Sequence, residues 1–442
     1  MLNDAYGLPV STDSPAAVAA IDTFVEHFLG YGQQADAVLK AVEYDPECAL
    51  AQACCAALYM FLEAPQAPQL ARPYLAAAQR LKTTATAREQ LFIDAIAGWV
   101  DNNMATALRC HEQLAAQYPW DLAAIKIGQY HYFNLGDAAG MLRLALQARA
   151  GGAASPYLDG MLAFGFEQCH RLDLAEQSAR AALAQKPDEP WAHHALAHVF
   201  ETQGRIAEGI EFLESHAASW ATLNSFMHTH NWWHLCLLYI DRERFEQVQA
   251  IYPQHIWGVW KEYSQDQIGA VSLLARLELA GVNLEPALWQ ELGDYLSVRI
   301  NDVVQPFLSL QYLYGLARAE RPEAETLLAN IAVYARQAPT PSHAAWADVT
   351  LPASYALLAH ASGQYAAAAR GLEPVLTRLQ TIGGSHAQRD LFWQIYLDAL
   401  LGCGRLSDAQ QILQLRYQSR PDSPLLKRQL QRVYRELGLS DF

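Results

Sequence analysis

Apolar residues recur every three or four positions along most of the chain, and short breaks rich in glycine, proline and polar residues separate the apolar stretches. This period places the apolar side chains on one face of an α-helix. No stretch shows the sustained alternation of apolar and polar residues that a half-buried β-strand requires. Alanine and leucine, which favour helices, are abundant. The pattern therefore predicts a nearly all-α protein.

The breaks repeat at a fixed distance. Gly136, His170 and Gly204 are each 34 residues from the next, and each lies in a predicted turn between two helices. Later turns are predicted at Gly363 and Gly404. The residue five positions after each turn is small in four of the five cases: Met141, Ala175, Gly209, Ala368 and Ala409. Twelve residues after Ala175 and Ala409 stand Pro187 and Pro421, where proline ends a helix. This pattern is typical of the tetratricopeptide repeat, in which pairs of helices stack.

The repeats predict how the chain is organised. We expect a right-handed α-solenoid of helix pairs, able to close into a ring-like superhelix around a concave pocket. The alternative is an α-helical bundle without repeats. The predicted regions are a lead segment 1–15, N-terminal repeats 16–252, irregular helical pairs 253–341, and C-terminal repeats with a capping helix 342–442.

Charge excludes one class of partner. Thirty-one lysines and arginines stand against 46 aspartates and glutamates, which gives a net charge of −15 without a basic tract. Such a charge repels phosphate backbones and anionic membrane surfaces. We therefore expect neither nucleic acid nor a membrane as a partner.

Cysteines and the N-terminus bear on the compartment. Seven cysteines, an odd number, lie in apolar helical patterns, which is typical of buried free thiols in a reducing environment. The first 15 residues lack the basic and apolar regions of a signal peptide, and no apolar run is long enough to cross a membrane. We expect a soluble cytoplasmic protein.

Four histidines are the leading candidates for chemistry. His194 and His198 are four residues apart, as are His230 and His234, and the two pairs are offset by 36 residues. Residues four apart share one face of a helix, so the repeat predicts one cluster on two neighbouring inner helices. Glu201 falls on the same stripe as His198. Three interpretations stay open: a divalent metal site (zinc, or iron or manganese), a metal-free polar or catalytic pocket, and structural packing.

Two further stretches offer polar groups for a ligand. Asn231, between the second pair of histidines, presents both a donor and an acceptor, although it can equally join two helices. The sequence GGSHAQRD places two glycines and a capping serine before Arg389 and Asp390. Amides at such a helix start can bind an anion, and Arg389 adds a permanent charge. The alternative is that Arg389 and Asp390 form an ion pair between repeats.

Several segments resemble a known family. HHALAHVFE, HNWWHLCLLYI and GGSHAQRDLFWQ are similar, in this order, to the tetratricopeptide repeat protein 38 family. The resemblance implies the repeat fold and no established activity. The chain departs from the family pattern at Gln129 and Gln311, where histidine is expected, and at Ser309, where aspartate is expected. If these positions carry chemistry, that part is altered here, and Gln129 and Gln311 join the candidate ligand-binding residues.

Two functions follow as hypotheses. The first is a ligand-binding or interaction protein whose histidine-rich pocket binds a peptide segment or a small polar or anionic molecule. The second is an enzyme, such as a metal-dependent hydrolase or lyase, in which His198, His234 and Glu201 act as acid, base or metal ligands. No GxSxG, Walker, GxGxxG, CxxC or HExxH motif is present. Whether the chain forms a homo-oligomer stays open.

Overall fold

The computed structural model describes residues 1–439 and is helical almost throughout. A short antiparallel hairpin, β1 (Leu2–Asn3) and β2 (Pro9–Val10), precedes the helices. Within the described residues, the α-helices are α1 (Pro15–Leu29), α2 (Ala37–Tyr44), α3 (Ala49–Met60), α4 (Ala67–Leu81), α5 (Ala87–Val100), α6 (Met104–Gln117), α7 (Leu122–Asn134), α8 (Ala138–Ala150), α9 (Pro156–Gln168), α10 (Leu172–Gln185), α11 (Pro190–Gln203), α12 (Ile206–His216), α13 (Ser225–Asp241), α14 (Phe245–Ile251), α15 (Ser264–Leu279), α16 (Pro286–Leu296), α17 (Pro306–Arg318), α18 (Glu323–Gln337), α19 (Thr340–Ala344), α20 (Leu351–Ala361), α21 (Tyr365–Leu372), α22 (His386–Gly402), α23 (Leu406–Ser419) and α24 (Pro424–Glu436). This confirms the predicted all-α helical-repeat fold.

Short helices of other types fill some of the connections. The 3-10 helices are Lys82–Thr84, Ala217–Thr222, Ser297–Arg299 and Leu376–Ile382. The π-helical segments are Tyr252–Ile256 and Ala345–Thr350.

The chain divides into two compact units. The first unit comprises Met1–Ala195 and Ser219–Met227. The second comprises Leu196–Ala218 and the described chain from His228 onwards. The boundaries fall inside α11 and α13, so both helices supply residues to both units.

Turns with one left-handed residue separate the helices of a pair. Within the first unit, Asn102, Gly136 and His170 have positive φ angles of 55°, 71° and 54° and follow α5, α7 and α9. A left-handed residue just after a helix reverses the chain and satisfies its last carbonyl groups. The predicted turns at Gly136 and His170 are thus confirmed, and Asn102, 34 residues before Gly136, extends the series.

The second unit uses the same turn at wider spacing. Gly204, Gly363 and Gly404, all predicted as turns, have φ angles of 70° to 77°. The same conformation occurs at three positions that the sequence analysis did not identify: Glu243, Gly281 and Glu320. Gly281 joins α15 to α16, and Glu320 joins α17 to α18, so helix pairs also form in the region of loose sequence spacing.

Small residues after the turns let paired helices approach closely. Ala175, Ala368 and Ala409 are fully buried. A Cβ atom added at Gly209 would lie 2.9 Å from Cβ of Phe200 on the preceding helix, so only glycine fits there. Pro187 and Pro421 lie two residues beyond the ends of α10 and α23, as predicted.

All seven cysteines are free thiols, and five of them are buried. Burial raises the pKa of the Cys48 thiol to about 11 and that of Cys55 to about 12, so these groups stay protonated at neutral pH.

Among the helices of residues 1–439, none combines the length and apolar character needed to cross a membrane.

Candidate functional site

Three of the four predicted histidines lie together in the second unit. His198 is on α11, and His230 and His234 are on α13. The ring centroids of His198 and His234 are 4.4 Å apart, and those of His230 and His234 are 4.9 Å apart. His198 and His234 are each 1% exposed. We call these three residues the histidine cluster.

His194 belongs to the first unit. Its ring stacks on Trp191 with centroids 4.3 Å apart and lies 4.9 Å from the ring of Phe164. The side chain is buried at 1% exposure. Its surroundings within this unit are aromatic, and its membership of a four-histidine site stays a prediction.

Burial keeps His198 and His230 of the histidine cluster uncharged. Loss of hydration lowers the pKa of His198 well below its usual value, and electrostatic interactions with His230, His386 and Arg389 lower it further. Burial also lowers the pKa of His230 to about 3. Both imidazoles are therefore neutral at pH 7, the form that accepts a proton or binds a metal ion.

The loop before α22 forms as the sequence predicts. Ser385 accepts a hydrogen bond from the backbone N–H of Gln388, and Gln388 Oε1 accepts one from the backbone N–H of Ser385. This capping box fixes the start of the helix. Arg389 donates to the carbonyl oxygens of Gly383 and Gly384. Its guanidinium therefore holds the loop, which weakens the case for Arg389 as an anion ligand.

Asp390 has other partners than the neighbouring arginine. Arg416 binds it through two parallel hydrogen bonds of 2.5 and 2.9 Å, and Nη1 of Arg276 lies 3.5 Å from Oδ2. These guanidinium groups hold the pKa of Asp390 well below its usual value, although burial opposes them. The expected ion pair between Arg389 and Asp390 is wrong, because Asp390 pairs with arginines of α15 and α23.

A small polar cavity lies beside this ion pair in the second unit. Its volume is about 50 Å³, room for a few water molecules or one small polar group. Six helices contribute: α11, α13, α15, α22, α23 and α24, together with Ala280 and Arg420 just beyond helix ends. The charged residues that line the cavity are Glu201, Asp241, Arg276, Asp398, Arg416 and Arg420. We call it the arginine–carboxylate cavity.

Two carboxylate oxygens at this cavity lack a hydrogen-bond donor. Oε2 of Glu201 is buried without a partner, and so is Oδ1 of Asp241, whose Oδ2 accepts from Arg420 at 3.1 Å. Asp241 is only 4% exposed. Burial raises the pKa of both carboxyl groups, and the charge of Arg420 partly offsets this. Buried polar atoms are normally paired, so these two oxygens mark a place where a donor is missing.

The helix geometry connects the cavity to the histidine cluster. Glu201 follows His198 by three residues on α11, and Asp241 follows His234 by seven on α13, so each acid shares a face with a histidine. Arg276 lies over the ring of Trp233, 5.6 Å from its centroid, and donates to the carbonyl oxygen of Ala387 at 2.6 Å.

Three predicted ligand-binding amides have different surroundings. Asn231 is fully buried, and neither its oxygen nor its nitrogen has a hydrogen-bond partner. Gln311, in the second unit, is 1% exposed with Oε1 unpaired. Gln129, in the first unit, donates to the carbonyl oxygens of Met141 and Met161. Ser309 donates to backbone carbonyls at Asp302 and Gln305. Gln129 and Ser309 thus serve local packing, whereas Asn231 and Gln311 have unused polar atoms.

The sequence analysis missed five charged residues of the cavity: Asp241, Arg276, Asp398, Arg416 and Arg420. Asp241, Arg416 and Arg420 stand at helix ends, where charged residues are common and give no distinct signal. Arg276 is different, because it interrupts the apolar run VSLLARLEL. An arginine inside a helix that is apolar on all sides must pair within the protein, and this signal could have identified it.

No family model matches the sequence, so the resemblance to the tetratricopeptide repeat protein 38 family stays a prediction. Among solved structures, the chain is similar to one in the "Structure of Naa15/Naa10 bound to HypK-THB". The identity is 13% and the TM-score 0.25, over 96% of this chain. This chain spans 66% of the length of that one. We therefore base the function on the side chains of this chain.

Proposed function

We propose that this protein is a helical-repeat ligand-binding protein whose second unit binds a small polar molecule or the polar end of a peptide. The arginine–carboxylate cavity receives the polar group, and the histidine cluster lies on the same two helices. The observation that supports this proposal most is the buried, unpaired Oε2 of Glu201 at the cavity.

Energetics explain why this oxygen indicates a ligand. A buried polar atom without a partner costs about 1 to 3 kcal/mol, and a ligand that supplies a donor recovers that free energy. The cavity is far smaller than the roughly 300 Å³ of a site for a drug-sized molecule. It therefore suits one polar group of a ligand rather than a whole large molecule.

The chemistry of the cavity favours a donor over an anion. Arg416 and Arg276 are already paired with Asp390, and Arg420 with Asp241. The atoms without partners are carboxylate oxygens, which repel an anionic group. Of the ligand types that the sequence suggested, a polar group that donates hydrogen bonds fits best.

An enzyme is the second candidate, because one observation favours it. The raised pKa of Glu201 lets this carboxyl group hold a proton at a higher pH than an exposed glutamate does, as a general acid requires, and the neutral His198 lies three residues away on the same helix. In this hypothesis His198 and His234 move protons. A metal-dependent hydrolase or lyase would instead use the imidazoles to bind zinc, iron or manganese.

A fragment screen by ligand-observed NMR tests the binding function. Small amides, alcohols and amines are added to the full-length protein and to two variants, Glu201→Gln and Ala280→Leu. Ala280 lines the cavity, so the larger leucine fills it without changing a charge. We expect a subset of fragments to bind wild type and to be lost in both variants.

The same spectra distinguish the two candidates. New resonances that grow with time in wild type but not in Glu201→Gln indicate an enzyme. Fragments that bind both variants as well as wild type would contradict any function for the cavity. Far-UV circular dichroism of the variants serves as the control for folding.

A further inference from the structure

The arginine–carboxylate cavity is lined by three arginines and by the acids Glu201, Asp241 and Asp398. Asp390, a fourth acid, pairs with two of those arginines. The ion pairs among these groups show which acid is left without a partner.

One acid at the cavity has no ion-pair partner. Asp390 is paired with Arg416 and Arg276, Asp241 with Arg420, and Asp398 accepts from Nε2 of His360 at 3.0 Å. Glu201 has no ion pair, and it is also the acid with the unpaired buried Oε2. The residue that lacks a counter-charge thus coincides with the oxygen that lacks a donor.

We propose that the cavity binds one primary ammonium group, which donates hydrogen bonds to Oε2 of Glu201 and Oδ1 of Asp241. This inference deepens the proposed function, on which it rests, by naming the ligand chemistry. The ammonium belongs to a small amine, to the amino terminus of a peptide or to a lysine side chain.

A third acceptor completes the geometry of an ammonium site. Gln394 lines the cavity, and its Nε2 donates to Oδ2 of Asp390 at 2.7 Å. That hydrogen bond fixes the orientation of the amide, so its Oε1 is the atom available to a ligand. An ammonium group has three donors, which matches the acceptors of Glu201, Asp241 and Gln394. Leu237, Ile240 and other apolar residues of the lining contact the alkyl part of the amine.

Other cations and anions fit less well. A guanidinium group is planar with five donors and needs more room and more acceptors than this cavity offers. Calcium prefers six to eight oxygen ligands, more than the acceptors of Glu201, Asp241 and Gln394 provide. An anion would meet unpaired carboxylate oxygens. One small cationic donor satisfies the unpaired acceptors and pairs with Glu201.

A proton on Glu201 competes with the ammonium group. Below its raised pKa, Glu201 carries a proton in the unbound protein. Ammonium binding then releases this proton, because the ionised carboxylate is the better acceptor. The charged groups that face Glu201 are Asp241 of α13, Arg276 of α15, Asp390 and Asp398 of α22, Arg416 of α23 and the adjacent Arg420, with His198 on its own helix. The affinity for an amine should therefore rise as pH rises, until the amine itself loses its proton.

Isothermal titration calorimetry of the full-length protein with methylammonium chloride tests the proposal. Tetramethylammonium chloride is the matched control, since it has the same charge but no N–H donor. We expect methylammonium to bind at least about tenfold more tightly, because hydrogen bonds to charged groups contribute most of the affinity. Titrations in two buffers with different ionisation heats should show proton release.

Variants locate the site. Glu201→Gln and Asp241→Asn should each weaken methylammonium binding about tenfold or more. Glu262→Gln, an acid of the same unit outside this cavity, should leave it unchanged. The helical spectrum and the thermal midpoint show that each variant folds. Equal binding of tetramethylammonium, or equal binding by Glu201→Gln, would overturn the inference.

Two further probes identify the source of the ammonium group. Glycinamide mimics a peptide amino terminus, and Nα-acetyl-lysine amide mimics a lysine side chain, so the tighter of the two names the source. If uncharged fragments bind in a way that depends on Glu201 while methylammonium does not bind, the ammonium inference fails and the proposed function stands. If neither class binds, both fail.

Discussion

The two units treat buried charge differently. In the first unit, Arg88 is 3% exposed and lies 3.3 Å from one oxygen each of Asp4 and Asp121. The second oxygen of Asp4 accepts from the backbone N–H groups of Tyr6 and Leu8, and that of Asp121 from Ala124. In the second unit, Glu201 and Asp241 each keep a buried oxygen without a donor.

This difference separates a structural ion cluster from a binding site. The Arg88 cluster connects the N-terminal hairpin region to α5 and the start of α7, and all four carboxylate oxygens have partners. The second unit has a similar set of residue types, but its cavity leaves space and two open acceptors. Buried charge alone therefore does not indicate function, whereas open acceptors beside free volume do.

The largest effect is expected in the first unit. Arg88→Met leaves Asp4 and Asp121 buried without a counter-charge, and we expect this to lower the free energy of unfolding by about 3 to 5 kcal/mol. Urea unfolding at pH 7 measures it. Arg72→Met, which breaks an exposed pair with Asp101, is the control and should cost less than about 1 kcal/mol. Equal effects of the two changes would contradict the structural role of the Arg88 cluster.

Acid pH should produce the next largest effect, and it sharpens the comparison because both units contain buried histidines. Burial lowers the pKa of His111 in the first unit to about 3, so the unfolded chain binds a proton below about pH 6.5 while the folded protein does not. The free energy of unfolding is therefore highest above about pH 6.5 with respect to this residue, and it falls as pH decreases towards 3. At pH 5 this one residue should lower stability by about 2 kcal/mol relative to pH 7.

Replacement of this histidine provides the measurement. Urea unfolding of wild type and His111→Leu between pH 7 and 5 should show a shallower loss of stability in the variant. His230, whose pKa burial also lowers to about 3, should behave in the same way in the second unit. If His111→Leu and wild type lose stability in parallel, His111 is charged in the folded protein.

Glu201→Gln should have the smallest effect on stability, within about 1 kcal/mol of wild type, because it removes a buried carboxyl group that has no ion pair. The folded pKa of Glu201 is raised from 4.5, so the folded protein holds its proton more tightly than the unfolded chain does. Wild-type stability therefore falls as pH rises from about 4.5 through the raised pKa.

The variant lacks this dependence, so its stability relative to wild type should increase with pH. Thermal unfolding of both proteins at several pH values between 4.5 and 8 tests this. If Glu201→Gln lowers the free energy of unfolding by several kcal/mol, Glu201 takes part in a structural ion pair, as Arg88 does in the first unit.

Much of the fold follows from the sequence. The turns at Gly136 and Gly204 were predicted because the backbone conformation there favours glycine, and the 34-residue spacing placed the turn at His170 midway between them. The turns at Asn102, Glu243 and Glu320 were missed, since a non-glycine residue adopts the same positive φ there without a sequence signal. The spacing also lengthens beyond Gly204, which weakens the repeat pattern.

The site was predicted only in part. His198, His234 and Glu201 were identified because helical spacing places them on shared faces, which is local information. Asp241 and the three arginines join them through tertiary packing of helices that are far apart in sequence, and no local pattern encodes that packing. The pairing of Asp390 was predicted wrongly for the same reason. His194 lies in the first unit, and its place in a four-histidine site stays a prediction.

The left-handed turns also differ in what they require of the residue at the turn. At Gly363 and Gly404 an added Cβ atom meets nothing within 4 Å, so these positions require only a backbone angle, which asparagine also adopts. At Gly204 the same atom would lie 2.4 Å from the carbonyl oxygen of Ser419, so this position also requires the absence of a side chain. All three turns have glycine, so the residue type alone does not distinguish these two requirements. Redesign of the array could place asparagine at Gly363 and Gly404, whereas Gly204, beside Arg420, must stay glycine because the backbone of Ser419 lies against it.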